Sequence, residues 1–282
     1  MARLTKLLVT EGDSWTAGDI LNPELEGVTT FINDTRNDEY RLPKVWPHKL
    51  AEQLEVDYLN LAIAGSSNDG IVMRLFNKIP LLLREYKPED LHVIVGWSSP
   101  ERRDFYFQDD SSDTASWEIL YPAQLEQNFE HRFKEDFYKL YLKHLWYQEE
   151  YISRFVYHNI ALHSFLSNLN IRHTFFNSFY EQVVEKKTGK RPILHSISLH
   201  DLVLEVIRNS KCRFNIVNEK LGGLKESYLD IYKNVYFKTT FAQYIKQKTN
   251  IYNEKDLFFQ YHPTELAHTE WASKLYKEIK VV

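Results

Sequence analysis

The sequence predicts an α/β fold with a parallel sheet. Three short apolar segments each end at a turn containing glycine or serine, and stretches with helical spacing of apolar residues separate them. This alternation is typical of βαβ units, in which the strands run parallel and helices cover the sheet. Ligands of such sheets bind beyond the carboxyl ends of the strands. The turns that follow the strands are therefore the candidate functional positions.

Composition favours a folded protein with a large core. The chain has 282 residues, 43% hydrophobic and 26% charged, which excludes extensive disorder. Lys and Arg total 35 against 39 Asp and Glu, a net charge of −4 without a block of one sign. This balance predicts neither nucleic acid nor an anionic membrane as a partner. The single cysteine, Cys212, excludes an internal disulfide and a multi-cysteine metal site.

The amino terminus does not resemble a secretory signal. Residues 1–10 include only three consecutive apolar residues. A membrane span needs roughly 20 apolar residues in a row, and the sequence contains no such run. We therefore expect a soluble, cytoplasmic protein without a membrane partner, formed as one domain over residues 1–282.

The first hundred residues contain three predicted strands. Each is a short, mostly apolar run bounded by turn residues. The strands are expected at residues 4–10, 58–64 and 91–95. The turns after them contain Ser14, Gly65 and Gly96, which would share one edge of the sheet.

Helices and insertions are predicted for the rest of the chain. Helices are expected at 45–54, after the turn at 66–70, and over the last fifteen residues or so. Polar residues and breakers make 16–44 a long loop, and 104–118 an acidic, aromatic loop. One or two long helices are expected within 124–168, a fourth strand at 171–179 and a helical insertion at 212–248. Together, 104–168 and 212–248 would be helical insertions capping the cleft.

The strongest chemical signal is Gly12-Asp13-Ser14-Trp15, directly after the first strand. A serine at a tight turn into a helix presents its hydroxyl at the sheet edge, while its own N–H lies where negative charge is stabilised. The same tripeptide also fits a helix cap made by Asp13 and Ser14. Taken alone, the helix cap is the better interpretation.

A nucleophilic serine needs a base and donors for the oxyanion. The candidate base is His262, because a histidine just before Pro263 lies on the loop entering the terminal helix and is able to reach the sheet edge. The candidate donors are the N–H groups of Ser14 and Gly65, together with the side-chain amide of Asn68. Gly65 also fits a plain turn and Asn68 a helix cap, and singly those interpretations are at least as good.

In this order the segments resemble the SGNH (GDSL) hydrolase superfamily. Its four blocks match Gly12-Asp13-Ser14, residues 60–65, residues 95–99 and His262-Pro263. The residues in and around these blocks are particularly similar to those of variants encoded by tailed bacteriophages. If this protein is encoded by a phage, it would be located in the host cytoplasm or in the virion. The resemblance implies a three-layer α/β/α fold with a five-stranded parallel sheet. It also implies hydrolysis of acyl esters, often acetyl groups on glycans or small molecules, without a metal or cofactor.

Carried onto this sequence, the resemblance makes Ser14 the nucleophile, His262 the general base and Gly65 an oxyanion donor. The third block departs from the pattern. The family has an Asn after the glycine of that block, whereas Gly96 is followed here by Trp97-Ser98-Ser99. Asn68, Ser98 or Ser99 would then replace the missing donor. Losing one such donor costs about 10²–10³ in rate.

A second departure concerns the orientation of His262. The family places an Asp three residues before the catalytic histidine, and this sequence has Phe259 there. A backbone carbonyl, Gln260 or a carboxylate such as Asp256 would have to orient the imidazole. Loss of the triad carboxylate costs about 10⁴ in kcat. The alternative is therefore a catalytically inactive binding or virion-associated protein that keeps the fold.

Other histidines and arginines have plainer interpretations. His268 shares a helix face with apolar residues and is expected in the core. His195 and His200 lie in a predicted loop without a third metal ligand nearby. Arg102 and Arg103 could hold an anionic group of a substrate, but a solvated pair with neighbouring acidic residues, Glu101 and Asp104, is slightly favoured.

Overall fold

The computed structural model describes residues 6–19, 21, 35–108, 115–120, 132–179, 181–188, 191–209, 223–259 and 262–279. Its strands are β1 (Leu7–Glu11), β2 (Asp57–Asn60), β3 (Leu91–Trp97), β4 (Arg103–Gln108), β5 (Ala115–Leu120), β6 (Arg172–Asn177), β7 (Glu181–Thr188), β8 (Arg191–Ser198), β9 (Phe258–Phe259) and β10 (His262–Pro263).

The helices follow the same numbering in chain order. They are α1 (Ser14–Ala17), α2 (Thr35–Arg41), α3 (Trp46–Leu54), α4 (Asn68–Leu82), α5 (Arg132–His144), α6 (Gln148–Asn168), α7 (Leu199–Asn209), α8 (Gly223–Asn234), α9 (Phe241–Lys248), α10 (Glu254–Leu257) and α11 (Glu265–Ile279). Short 3₁₀ turns occupy Leu42–Lys44 and Pro88–Asp90.

The central sheet is parallel, with the strand order β2-β1-β3-β6. The prediction of a parallel α/β fold is confirmed, but the expected fifth strand is absent from the described residues. In its place, Tyr236 forms a single parallel bridge with Phe175. The chain then enters α9, whose N-cap is Thr240, so the pairing ends after one bridge.

Alternating side chains divide the core between two helical layers. Leu8, Ile94 and Phe176 point toward the layer that contains α3, α9 and α11. Val9 and Val93 point toward the opposite layer, which contains α4, α6, α7 and α8. This period of two is the geometry of a strand buried on both faces. The predicted three-layer α/β/α arrangement is confirmed.

The insertion after β3 contains a β-hairpin as well as helices. Residues 104–118, expected as a loop, fall largely in the antiparallel hairpin of β4 and β5. The sequence feature behind this pairing is the run of three aromatic residues at 105–107, because aromatic residues are enriched in strands. The long helices expected within 124–168 are confirmed as α5 and α6.

Other sequence predictions have mixed outcomes. A second antiparallel hairpin, β7–β8, was not predicted, and it places His195 in a strand while His200 lies in α7, so neither occupies a loop. Part of the loop predicted at 16–44 forms α2, and its residues 22–34 lie outside the described residues. None of the described helices has the length and apolar character needed to span a membrane.

Two histidines are buried in the core. His268 is fully buried and its Nδ1 accepts a hydrogen bond from the N–H of Trp46 at 3.2 Å, as expected for a core histidine. His92 is also buried, and its Nε2 lies 3.0 Å from Thr174 Oγ1. Burial lowers the pKa of each imidazole from 6.5 to about 3. Both rings therefore remain neutral at physiological pH.

These two histidines should make the fold sensitive to acid. Between pH 6.5 and 3 the unfolded chain binds protons that the folded chain excludes, so stability falls as the pH falls. Each histidine should remove about 1.6 kcal/mol from the free energy of unfolding between pH 6.5 and 5. Urea unfolding should show that His268→Asn, which keeps an acceptor for Trp46 but cannot ionise, reduces this loss. The exposed control His144→Asn should not, and an unchanged pH dependence in His268→Asn would contradict the explanation.

Candidate active site

Ser14 lies at the first position of α1, immediately beyond the carboxyl end of β1. Asp13 is the N-cap, and its Oδ1 accepts a hydrogen bond from the N–H of Trp15 at 3.0 Å. Gly18 ends the helix in the left-handed conformation, donating its N–H to the carbonyl of Ser14 at 2.9 Å. These caps hold Ser14 in one short, rigid turn at the edge of the sheet.

Gly12 allows this turn to pack closely on the neighbouring strand. A Cβ atom at Gly12 would lie 2.4 Å from Thr16 Oγ1 and 2.9 Å from the carbonyl oxygen of Gly96. Both distances are shorter than a carbon atom tolerates. A larger residue would therefore push α1, and Ser14 with it, away from the end of β3.

His262 is brought to the same edge by the start of α11. It lies in β10, which pairs with β9 in a short antiparallel hairpin. Thr264 anchors the following turn, with its N–H bound to the carbonyl of Leu257 at 3.0 Å and its hydroxyl to the carbonyl of Asp256 at 2.6 Å. The hairpin and the helix start therefore determine where the imidazole lies.

The two chain ends meet through a hydrogen bond. His262 Nε2 lies 3.1 Å from Ser14 Oγ, although 248 positions separate the two residues. Ser14 is 6% exposed and His262 is half-buried. In the tautomer that carries its proton on Nδ1, the imidazole accepts from the serine hydroxyl at Nε2, which is the requirement for a nucleophilic serine.

Gly65 lies in the turn after β2 with a φ of +76°. A side chain is disfavoured in this left-handed conformation. The space where a Cβ would stand is open, with Ile119 Cδ1 of β5 as the nearest atom at 4.0 Å. The side chain of Ile119, from the β4–β5 hairpin, therefore lies beside the Gly65 turn.

Asn68 and Ser98 hold the second and third turns together. The Asn68 amide donates to the carbonyl of Ser98 at 3.1 Å, and its Oδ1 accepts from the N–H of Ser98 at 2.9 Å. Both residues are 2% exposed. A primary amide carries two N–H groups, so one N–H of the Asn68 amide is not used in the bonds to Ser98.

Asp13 and Arg102 form a second link between the turns. Arg102 Nη1 lies 3.6 Å from Asp13 Oδ2 and donates to Ser98 Oγ at 3.0 Å. Burial raises the pKa of Asp13, while the guanidinium of Arg102 opposes that rise. The side chain of Arg102 is only 18% exposed. The expectation of a solvated arginine is therefore wrong for Arg102.

Arg103 and Ser99 take no part in the two links described above. Arg103 Nη1 pairs with Glu150 Oε1 of α6 at 2.9 Å, so its charge is directed to the insertion. Ser99 lines a small cavity beside Ser98.

The candidates for orienting His262 have distinct positions. Asp256 is exposed, and its carboxylate accepts a hydrogen bond from Asn253 Nδ2 at 2.9 Å. Among the contacts of the described residues, none joins that carboxylate to the imidazole. Phe259 pairs with His262 through the backbone of β9 and β10. Gln260 lies outside the described residues.

Sequence reasoning missed Glu11 and Arg74. Arg74 donates to both carboxylate oxygens of Glu11, which is fully buried. The available signal was a glutamate within an apolar strand, directly before Gly12. Within the described part of the chain, no three His, Cys, Asp or Glu side chains are grouped in a way that could hold a metal ion.

Comparisons with known proteins identify one family. The model described as "Family of unknown function (DUF6071)" matches residues 26–204, more than half of the chain and a range that excludes both Ser14 and His262. No curated protein matches the sequence.

Similar solved structures include three bacterial proteins. A member of the lipolytic G-D-S-L family from Veillonella parvula is 12% identical, with a TM-score of 0.45 and coverage of 99% of this chain and 100% of that one. A putative lipolytic protein of this family from Desulfitobacterium hafniense is 12% identical, with a TM-score of 0.44 and coverage of 97% and 99%. A psychrotrophic esterase from Pseudoalteromonas is 14% identical, with a TM-score of 0.43 and coverage of 98% and 97%. Similarities of this size say nothing about activity.

Removing the Asn68 side chain should destabilise the protein. Asn68→Ala leaves the buried N–H and carbonyl of Ser98 without their partner, which should cost roughly 2–4 kcal/mol. Urea unfolding measures the loss. The control is Asn234→Ala on the surface of α8, where the amide binds Asp230 Oδ1 and the change should stay within about 0.5 kcal/mol. Equal effects for the two variants would contradict the buried link.

Proposed function

The chain belongs to the DUF6071 family, whose function is unknown, and from the geometry of its own site we propose that it is a serine esterase of the SGNH type. The observation that carries this proposal is the 3.1 Å distance between Ser14 Oγ and His262 Nε2. Support also comes from the order of the four sequence blocks and from the parallel-sheet edge on which they meet.

In the proposed reaction, Ser14 Oγ attacks the ester carbonyl carbon and His262 Nε2 takes its proton. The N–H groups of Ser14 and Gly65 stabilise the oxyanion, with the remaining N–H of Asn68 as a third donor. His262 then protonates the leaving alcohol, which departs and leaves an acyl group on Ser14. Water, deprotonated by His262, attacks the carbonyl carbon of this acyl-enzyme. The bond to Ser14 Oγ then breaks, His262 returns the proton to Ser14 Oγ, and the acid is released.

Ser98 has a supporting role in this proposal. Its backbone N–H already binds Asn68, and its hydroxyl accepts from Arg102. Both groups therefore hold the turns in place. Asn68 is then the better replacement for the amide donor that the SGNH pattern has in its third block and this sequence lacks. The backbone N–H of Ser14 lies in the first turn of α1, where N–H groups have no partner within the helix, so it can donate to the oxyanion.

We propose a short acyl group for the substrate. A cavity of about 20 Å³ lies beside Ser98, enough for one water-sized or methyl-sized group. It is lined by Trp97, Ser98, Ser99, Pro100, Asn177, Phe179 and Leu199. The cavity is near the nucleophile turn through Phe179, whose ring centroid lies 5.1 Å from that of Trp15, the residue after Ser14. If the acyl group enters this cavity, an acetyl methyl fits its volume and a long chain does not.

A glycan is the proposed alcohol component. Tyr106 is 59% exposed on β4 and shares a face of the hairpin with Ile119, the residue above Gly65. Aromatic side chains pack against the apolar faces of sugars, and Tyr106 remains largely exposed beside its other contacts.

One observation favours a different function. Phe259 stands three residues before His262, at the position where an orienting carboxylate is expected, and pairs with it through the backbone. An SGNH-fold protein that binds its ligand without cleaving it would fit this replacement. The two functions differ in whether Ser14 reacts.

Substitution of the proposed pair should abolish ester hydrolysis. Ser14→Ala and His262→Gln should each lower the kcat for p-nitrophenyl acetate by at least about 10³-fold, because the nucleophile and its base act as one unit. The controls Ser167→Ala on α6 and His48→Gln on α3 should keep wild-type rates. Hydrolysis that is absent in the wild type, or unaffected by Ser14→Ala, would favour the binding protein.

The acyl cavity predicts a preference for short chains. The kcat/KM for p-nitrophenyl acetate should exceed that for the octanoate by at least about tenfold. Leu199→Ala, which enlarges the cavity from α7, should narrow the ratio. Leu202→Ala removes the same volume from α7 at a buried position outside the cavity and should leave the ratio unchanged. Equal rates for both esters in the wild type would exclude this cavity as the acyl site.

A further inference from the structure

A buried carboxylate lies behind the candidate site. Glu11 is the last residue of β1 and is fully buried, directly before Gly12. Two positions earlier on the strand, Val9 belongs to the core on the α4 side of the sheet, so Glu11 points to that side as well. The proposed reaction uses Glu11 in no step.

Glu11 binds two parts of the structure at once. Its Oε1 accepts from the N–H of Gly12 at 3.0 Å and from Arg74 Nη2 at 2.9 Å. Its Oε2 accepts from Arg74 Nε at 3.2 Å. The paired contacts are the bidentate arrangement in which a guanidinium fixes a carboxylate most firmly.

Arg74 continues the connection to the second turn. Its Nη2 donates to Ser66 Oγ at 2.5 Å, and Ser66 is 1% exposed. Ser66 directly follows Gly65, the proposed oxyanion donor. An unbroken series of contacts therefore runs from Gly12, beside the nucleophile turn, through Glu11 and Arg74 to the Gly65 turn.

This ion pair is expensive to bury. Desolvation raises the pKa of Glu11 from 4.5 to about 7, against the opposing effect of Arg74. Apolar residues of similar size often replace a buried ion pair without loss of stability. A contribution to stability alone therefore explains the pair poorly, whereas a requirement for exact placement of two turns explains it well.

We propose that Glu11 and Arg74 are positioning residues that set the distance between the Ser14 and Gly65 N–H groups in the oxyanion site. This inference rests on the proposed esterase function and extends it. Neither residue contacts the reacting atoms. They act through the Gly12 amide on one side and the Ser66 hydroxyl on the other.

The test compares Glu11→Gln and Ser66→Ala with the wild type. Glutamine keeps an acceptor for the Gly12 amide but loses the charge that holds Arg74, and Ser66→Ala breaks the far end of the series. Each variant should lower the kcat for p-nitrophenyl acetate by about 10- to 100-fold, with KM nearly unchanged, because displaced donors weaken only the transition state. The rate constant for phosphonylation of Ser14 by a fluorophosphonate should fall in parallel.

The double variant separates positioning from general loosening. Because both changes break one series of contacts, Glu11→Gln with Ser66→Ala should lose no more activity than the more damaging single change. The matched control is Asp90→Asn, which removes a buried carboxylate from the Lys6–Asp90 pair at the opposite edge of the sheet. This control should keep the wild-type kcat and phosphonylation rate.

Each outcome has a distinct meaning. A wild type that reacts with neither probe overturns the esterase function, and this inference with it. A reactive wild type with equally reactive variants overturns only the positioning role, as does an equal loss in Asp90→Asn. If thermal unfolding shows that Glu11→Gln does not fold, the kcat and phosphonylation rate of Ser66→Ala alone decide whether the positioning role holds.

Discussion

The parallel sheet imposes the constraint on which the site depends: all four of its strands end at one edge. The turns that follow β1, β2 and β3 therefore meet, although they are far apart in sequence. Only His262 comes from outside these turns, and the β9–β10 hairpin and the start of α11 deliver it. Two ends of the chain thus contribute one hydroxyl and one imidazole to the same place.

Polar contacts, in addition to close packing at Gly12, fix the relative positions of these turns. Three buried links cross between them: Asn68 with Ser98, Asp13 with Arg102, and Glu11 with Arg74. Each link costs desolvation, which is most evident for the two carboxylates, whose pKa values are raised by burial. Such links suit a site in which donors must be held in fixed directions before a substrate arrives.

Much of the scaffold could be predicted from local patterns. Continuous apolar runs predict β1 and β3, because strands buried on both faces contain few polar residues. The strand predicted at 58–64 is shorter in the structure, where the partly exposed β2 ends at Asn60. Ser14 and Gly65 follow from the turns that end those strands. The β4–β5 hairpin was missed because the acidic run after Phe107 has the composition of a loop, although the aromatic residues at 105–107 favour a strand. The prediction of a fifth strand was wrong because the chain leaves the sheet at Phe237 and then enters α9.

The polar links could not be predicted in the same way. Glu11 and Arg74 are 63 positions apart, and no local pattern shows that one side chain will reach the other. A charged residue inside an apolar strand was the only indication. Arg102 illustrates the same limit. Glu101 and Asp104 lie close to it in sequence, whereas its guanidinium contacts Asp13 of the first turn and Ser98 of its own turn.

The most direct measurement is a crystal structure of the protein after reaction with a fluorophosphonate. The account predicts phosphorus bonded to Ser14 Oγ, a phosphonyl oxygen about 2.7–3.1 Å from the N–H groups of Ser14 and Gly65, and the imidazole of His262 beside the adduct. An adduct on another residue, or a phosphonyl oxygen turned to solvent away from both N–H groups, would contradict it.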